Sequence, residues 1–194
     1  LQLQYLRELT SNPEKAALRK HLLEKRDSTS FDLMEIHSKK IISKLMKTKV
    51  ISEAETIGCY YSIGSEVQTV ELITQLLKEK KTVSLPRISN SMMSFRKIED
   101  LTKLEKGEFD IPEPKDTAPI QENHDVILVP CVGLDDKGNR IGYGAGFYDK
   151  YLEKKNLIKI GLSYSKQIVK TIPISDEDVK MDWIITEKDV IKTS

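Results

Sequence analysis

The segment from Gly138 to Asp149, GNRIGYGAGFYD, constrains this chain more than any other stretch. It follows the apolar run Val126 to Val129 and precedes a helical pattern from about Phe147, so the chain passes from a strand through a glycine-dense turn into a helix. α/β sheets place ligand sites at such transitions. Gly142, Gly144 and Gly146 let backbone N–H groups approach an oxyanion closely, and the helix start behind them adds partial positive charge. Phosphate is the natural guest. No Gly-Lys-Ser/Thr follows, so this is not a Walker loop, and the alternating glycines depart from the G-x-G-x-x-G dinucleotide fingerprint. Taken alone, the run reads equally as a tight turn whose glycines serve only backbone geometry. Arg140, at the start of the loop, suits phosphate oxygens. Asp149, in the first helical turn, suits either Mg2+ beside them or simply a helix N-terminus.

The rest of the pattern sets the fold class. Thr56 to Tyr61 is a short apolar and aromatic run, Val70 to Leu77 is helical in spacing, and Thr82 to Leu85 is a strand stopped by Pro86, which together make a β-α-β unit. Val126 to Val129, the helix from Phe147 and the strand Ile158 to Leu162 repeat that alternation. Met92 to Ile98 adds a strand, and Glu99 to Glu122, rich in proline and charge, reads as an irregular excursion. Ahead of these lie two helices. One starts at a capping-box spacing, Ser11 to Glu14 with Pro13 between, and runs to about Arg26; the other runs from near Ser30 to about Lys47. The expectation is an α/β fold: one domain over 11–194, a mostly parallel central sheet with helices on both faces, an N-terminal helix pair, and a terminal extension over 1–10.

Charge limits the partners. The chain has 31 basic and 30 acidic residues, a formal net charge of +1, so no global field draws it to nucleic acid or a membrane surface, and any anion site is local. No apolar run reaches membrane-spanning length and the first residues lack a secretory pattern, which makes a cytoplasmic protein, a monomer or weak dimer acting on small molecules, the default expectation. Cys59 and Cys131, in apolar strand-like surroundings without metal-ligand spacing, read as buried reduced thiols. One local charge pattern stands out on the first helix. At about 100° per residue, Lys15, Arg19 and Arg26 fall within roughly 40° of one another, on the side that carries Leu18, Leu22 and Leu23. Cations on an apolar face snorkel over it or face a partner, which is an internal carboxylate or an exogenous polyphosphate.

Taken in order, KAALR, GCYYSIGSEVQT, LPR and DDKGNRIGYGAGFYDKYL resemble the 5-formyltetrahydrofolate cyclo-ligase family over nearly the whole chain from about Ser11. The glycine segment is the specific part. The resemblance implies an enzyme that uses ATP and Mg2+ to close 5-formyltetrahydrofolate to 5,10-methenyltetrahydrofolate, releasing ADP and phosphate after phosphorylation of the formyl oxygen. It implies ATP contacts at Lys15, Ala16, Ala17, Leu18 and Arg19, and at Arg140, Ile141, Gly142, Tyr143, Gly144, Ala145, Gly146, Phe147 and Tyr148. Folate contacts fall on Tyr61, Glu66 and the loop from Tyr143 to Phe147, with Mg2+ on Asp149 and Asp178. Lys15, Arg140 and Tyr148 are the expected catalytic residues. Asp176 and Asp182 lie close enough in sequence to compete with Asp178 as the second metal ligand. Without the resemblance, Glu66 reads as a solvated loop acid. Two departures from the family pattern stand out: Tyr143 where Arg is common, and Ala145 at the position that is small or basic. Phe147 for the usual Tyr loses one hydroxyl. Those departures keep two other readings open, a nucleotide- or folate-binding module without turnover, and an ATP-dependent enzyme acting on another pterin or N-formyl metabolite.

Overall fold

The computed structural model describes residues 12–193. Helix α1 spans Pro13–Asp27 and is capped by the Asn12 side chain, which accepts from the Glu14 backbone N–H at 2.9 Å. The cap expected at Ser11 thus belongs to Asn12, and Ser11 itself lies outside the described residues. Proline at the first helical position loses no hydrogen bond there, and Lys25 and Arg26 complement the last turn. Helix α2 (Phe31–Met46) and the short α3 (Lys49–Glu53) follow, the latter capped by Thr48.

The sequence then delivers its β-α-β unit: β1 (Thr56–Gly58), α4 (Val70–Lys78) and β2 (Thr82–Ser89), with β1 and β2 parallel. Pro86 does not stop β2. Parallel pairing with β1 ends at Ser84, and from there β2 continues as one arm of an antiparallel pair with β3 (Met92–Ile98), where Pro86 stands opposite Phe95. Proline is tolerated because beyond Ser84 the other side of β2 has no ladder to serve. The excursion after β3 is mostly irregular as expected, with a single tight turn at Leu101–Lys103 and a small hairpin, β4 (Glu105–Lys106) with β5 (Pro112–Glu113).

The second half adds β6 (Val126–Pro130), β7 (Gly133–Asp135), β8 (Arg140–Ile141), helix α5 (Phe147–Leu152), β9 (Ile158–Leu162), β10 (Ile168–Val169), β11 (Trp183–Ile185) and β12 (Val190–Lys192). The central seven-stranded sheet has the order β12-β11-β9-β6-β1-β2-β3. Its interior strands, from β11 to β2, run parallel, and the edges β12 and β3 are antiparallel. Every residue of β6 from Val126 to Val129 is buried, as a central parallel strand covered on both faces requires. On one face, Val126 and Leu128 pack with α2 and α4 through Ile41, Leu45, Leu72 and Leu76. On the other, Ile127 and Val129 pack with Leu152 of α5, Leu134 of β7 and Met181. That second face therefore carries a helix together with a small sheet, β10-β7-β8, which the sequence reading missed. Helix α1 lies on this small sheet, with Leu22 packed against Val132, Ile141 and Ile172.

Two features position the site. From β1 the chain proceeds to β2 on one side, while β6 flanks β1 on the other, so the strand order reverses between β1 and β6 and leaves a crevice at their carboxyl ends. Cys59 and Cys131 sit just past those ends, buried and reduced rather than within the strands, with burial pushing both thiols up to about 12. The second feature is Asp135, fully buried at the end of β7. Its carboxylate accepts from the N–H groups of Lys137, Asn139 and Ile172 and from Asn139 Nδ2, which fixes the turn that launches the glycine segment. Replacing Asp135 with Ala should therefore destabilise the fold by about 3 kcal/mol, since several buried donors lose their acceptor together. Urea unfolding followed by circular dichroism measures this, and a loss below about 0.5 kcal/mol would show that the turn holds without its carboxylate.

Candidate functional site

The glycine segment lies at the crevice and α1 lies across it. β8 delivers Arg140 and Ile141, and the chain turns through Gly142 to Gly146 into α5. Gly144 has a φ of 104°, in the left-handed region, so a side chain there would strain the backbone, and its Cβ, 3.3 Å from the Arg19 guanidinium carbon, would also push that group aside by a few tenths of an ångström. Gly146 caps α5, again in left-handed conformation. Because α5 has only six residues, little of the positive character of the loop comes from a helix. The cations of α1 supply it instead.

All three residues of the basic stripe reach the site. Lys15 pairs with Asp178 and donates to the Ser175 hydroxyl at 3.2 Å. Arg19 donates through Nε to the carbonyl of Gly142 at 2.8 Å. Arg26, 3% exposed, donates to the Ser65 hydroxyl at 2.8 Å and to the Tyr143 hydroxyl at 2.6 Å. The stripe is thus buried against partners rather than snorkelling to water. Ala16 and Ala17 are the small residues between the first two cations, with Ala17 exposed, and Leu18 packs on the small α1 cluster.

Glu66 is not a solvated loop acid. It is 5% exposed, its Oε2 accepts from the Ile63 N–H at 2.8 Å, and its carboxylate is hydrogen-bonded by the Tyr143 hydroxyl. Burial holds its pKa above the ordinary carboxylate range, opposed by those two hydrogen bonds and by the nearby Arg26 charge. The loop that carries it is built internally: Tyr60 donates to the Val67 carbonyl at 3.1 Å, Thr69 Oγ1 donates to the Tyr60 carbonyl at 2.5 Å, and Tyr164 donates to the Glu66 carbonyl at 3.1 Å. Tyr61, from the same loop, lines a groove of about 580 Å³ between α2 and α4, with Ile42, Gln68 and Leu72.

Arg140 lies elsewhere than its sequence reading suggested. Its side chain is 5% exposed and turned under the loop, donating to Asp149 Oδ2 at 2.8 Å and to the Pro130 carbonyl at 3.3 Å. The guanidinium also lies 5.9 Å from the centroid of the Tyr148 ring, whose buried hydroxyl has no hydrogen-bond partner among the described residues. Arg140 therefore meets a carboxylate of its own chain. The other Asp149 oxygen accepts from the Val179 N–H at 3.2 Å, which brings Asp149 beside the neighbour of Asp178. Asp178 accepts from the Ser175 N–H at 2.6 Å as well as from Lys15, and these bonds hold its pKa below the usual value in spite of partial burial. Of its two sequence rivals, Asp176 is exposed, and Asp182 pairs with Lys159 at 3.0 Å at the amino end of β9. Phe147, which lacks the usual hydroxyl, packs against Phe109 of the excursion at 6.0 Å between centroids. Neither Phe109 nor Ser65 carried a sequence signal, since each acts only through a contact distant along the chain.

Hard oxygen donors suit Mg2+, which commonly takes one or two protein carboxylates and completes its shell with phosphate oxygens and water. Asp149 and Asp178 meet that description, and no group of three or more His, Cys, Asp or Glu residues forms a metal cage among the described residues. No helix is long and apolar enough to cross a membrane among those residues.

Comparison with known proteins shows the family and the fold. A family model described as the 5-formyltetrahydrofolate cyclo-ligase family matches residues 11–187. A 5-formyltetrahydrofolate cyclo-ligase of Haemophilus influenzae is 34% identical over 140 residues, covering 66% of this chain and 74% of its own. That of the mouse is 28% identical and covers 92% and 96%. The solved structure of a 5,10-methenyltetrahydrofolate synthetase from Aquifex aeolicus superposes with a TM-score of 0.84 at 32% identity, covering 92% of each chain.

Two stability measurements check this geometry. Since the folded pKa of Glu66 is raised, its ionised form costs stability progressively as pH rises from the ordinary carboxylate range to the raised value, and the full cost persists above it. Glu66→Gln should therefore resist urea better than the native chain at neutral pH, and the advantage should vanish at acid pH; an advantage independent of pH would contradict this electrostatic origin. Asp149→Ala should cost about 3 kcal/mol by leaving the buried Arg140 without its counter-charge, whereas Lys15→Met, at a more exposed pair, should cost under about 1 kcal/mol. Equal losses in denaturant titrations would show that the two pairs are not differently buried in effect.

Proposed function

Since this chain belongs to the 5-formyltetrahydrofolate cyclo-ligase family, we propose that it closes 5-formyltetrahydrofolate to 5,10-methenyltetrahydrofolate with ATP and Mg2+, releasing ADP and phosphate. The observation that carries the proposal is the convergence of Lys15, Arg19 and Arg26, from one face of α1, on the glycine loop and its acidic neighbours. In the ligand-free chain these cations are met by Asp178, by the Gly142 carbonyl and by the Ser65 and Tyr143 hydroxyls, and a polyphosphate would add charged acceptors for those nearest the loop.

The chemistry asks for positioning more than for a covalent nucleophile. The formyl group on N5 is amide-like and its oxygen is a poor leaving group. In the proposed route that oxygen takes the γ-phosphoryl group and ADP departs; N10 then attacks the activated carbon and loses its proton, and phosphate leaves as the ring closes. Charge accumulates on the transferred phosphoryl oxygens, where preoriented cations are most effective. Lys15 and Arg19 are assigned to the phosphates, together with the backbone from Gly142 to Gly146 and the Ala16 to Leu18 segment that spaces the two cations. Arg140 is assigned a supporting role through Asp149, because its guanidinium is turned under the loop. Asp149 and Asp178 would hold Mg2+, which would neutralise charge shared between phosphate oxygens. Glu66 is assigned to the pterin, since a carboxylate accepts paired hydrogen bonds from an aminopyrimidinone edge. Tyr143, Ala145 and Phe147 are assigned to the part of the loop facing the pterin, while Tyr61, which lines the groove between α2 and α4, is left as a folate contact implied by the family alone. Tyr148 is assigned to the floor beside Arg140; burial pushes its hydroxyl far above the usual range and keeps it protonated.

The test is a coupled assay for ADP together with the absorbance of the methenyl product. ADP release should depend strictly on the reduced formylfolate and on Mg2+; folded protein without product would overturn the proposal. Lys15→Ala should raise KM for ATP about tenfold or more with KM for formylfolate nearly unchanged, and Glu66→Ala should do the reverse. Parallel rises in both constants for both variants would undo the division of the site.

A further inference from the structure

We infer that Arg26 is a positioning residue for the folate half of the site: it fixes where the Glu66 carboxylate points, and keeps a cation beside it, by holding Ser65 and Tyr143 at the same time. The inference rests on the reading of Glu66 as the acceptor for reduced folate.

One guanidinium spans three segments that are far apart in sequence. Arg26 Nε donates to the hydroxyl of Ser65, the residue before Glu66, at 2.8 Å. Nη2 donates to the Tyr143 hydroxyl at 2.6 Å, and Nη1 reaches the Cys131 carbonyl, past the end of β6, at 3.5 Å. The Tyr143 hydroxyl accepts from Arg26 and donates in turn to the Glu66 carboxylate. Ser65 is held from both sides, because its hydroxyl also donates to Asp27, the last residue of α1. The backbone before Glu66 and the hydroxyl on its carboxylate therefore answer to one side chain.

The electrostatics make the role specific. The titratable groups that face Glu66 from the surrounding elements are Tyr60 after β1, Cys131 after β6, Tyr143 of the loop, Tyr148 of α5 and Tyr164 after β9. Burial pushes each of these weak acids upward, so all are neutral near pH 7. Arg26 is the cation that lowers the Glu66 pKa among the described residues. Pterin N–H groups arriving at Glu66 would take the place of the Tyr143 donor, leaving Tyr143 on Arg26. The tyrosine that stands where the family commonly has a cation is then served by a cation from α1.

The experiment compares Arg26→Met and Arg26→Lys in the full chain, with two readouts. In ligand-free protein, the Glu66 carboxyl is titrated by 13C NMR. In parallel, steady-state kinetics with ATP, Mg2+ and 5-formyltetrahydrofolate are recorded against pH. Loss of the cation disfavours the carboxylate, so Arg26→Met should move the Glu66 midpoint upward and carry the acid limb of kcat/KM for formylfolate with it. KM for formylfolate should rise about tenfold or more while KM for ATP stays within about twofold. Arg26→Lys should recover part of both effects. Arg26→Met should also add little to Glu66→Gln, because positioning of an absent carboxylate has no value. An unmoved Glu66 midpoint, a joint rise of both KM values, or full additivity would reduce Arg26 to an anchor of α1 and overturn the inference. Should Arg26→Met fail to fold, Arg26→Lys and Tyr143→Phe decide by the same titration, since Tyr143→Phe removes the bridge and must move the midpoint. Absence of turnover in the native chain would overturn the folate reading, while the ligand-free titration would still report separately on the coupling of Arg26 to Glu66.

Discussion

The carboxyl end of this sheet depends on burying the cations of α1. Moving a guanidinium out of water is unfavourable unless acceptors meet it, and Arg19 and Arg26 are 8% and 3% exposed. Their acceptors come from the loop after β1 and from the glycine segment after β8, which share no local contact along the chain. The helix therefore acts as a cross-brace between two loops that the strand order has already brought to one crevice. Leu22 supplies the apolar part of the same contact, packing on the small sheet between the two arginines. Neither the crevice nor the brace suffices alone: topology brings the loops near, and charge satisfaction fixes how they meet.

What the sequence revealed follows from which forces are local. The alternation of β1, α4 and β2 was legible because its apolar period exceeds any local noise, and the all-apolar run of β6 read as a strand, though not as the central one. The strands β7, β8 and β10 were not, because segments of two or three residues have no period to read and owe their existence to pairing partners distant in sequence. Pro86 misled for a related reason. A proline ends a strand only where its missing N–H would be used, and that depends on a neighbour the sequence does not display. The Asn12 cap differs from the expected Ser11 by one position, within the normal latitude of helix ends.

At the site, the helical phase of Lys15, Arg19 and Arg26 anticipated that all three share one buried side of α1, since phase is a property of the helix itself, but not the different partners each one meets. Arg140 was harder. Its place at the start of the loop suggested an outward side chain, but the β7–β8 hairpin turns it beneath the loop, where Asp149 from the next helical turn meets it. Glu66 needed the resemblance. Nothing in its sequence neighbourhood reports that Tyr143, Ile63 and Arg26 surround it, and without that shell a loop glutamate belongs in water.

The two ion pairs at the site differ in a way that bears on how it would take a charged ligand. The side chains of the Lys15–Asp178 pair are 12% and 25% exposed and those of the Arg140–Asp149 pair 5% and 24%, so the two differ in the burial of the cation rather than of the carboxylate. Opening a buried pair leaves a charge with nothing to replace its partner, so Arg140 and Asp149 are best regarded as a fixed support. Lys15 and Asp178 can be exchanged at lower cost. In the proposed reaction a magnesium-bound polyphosphate brings an anion for the lysine and a cation for the carboxylate together, so the pair separates without either charge being stranded. The ligand-free ion pair then keeps both groups oriented in advance, and the energy of forming the new contacts is reduced only by the modest strength of a partly exposed pair. An arrangement of that kind discriminates against either ion arriving alone, because a bare cation or a bare phosphate satisfies one half of the pair and leaves the other uncompensated.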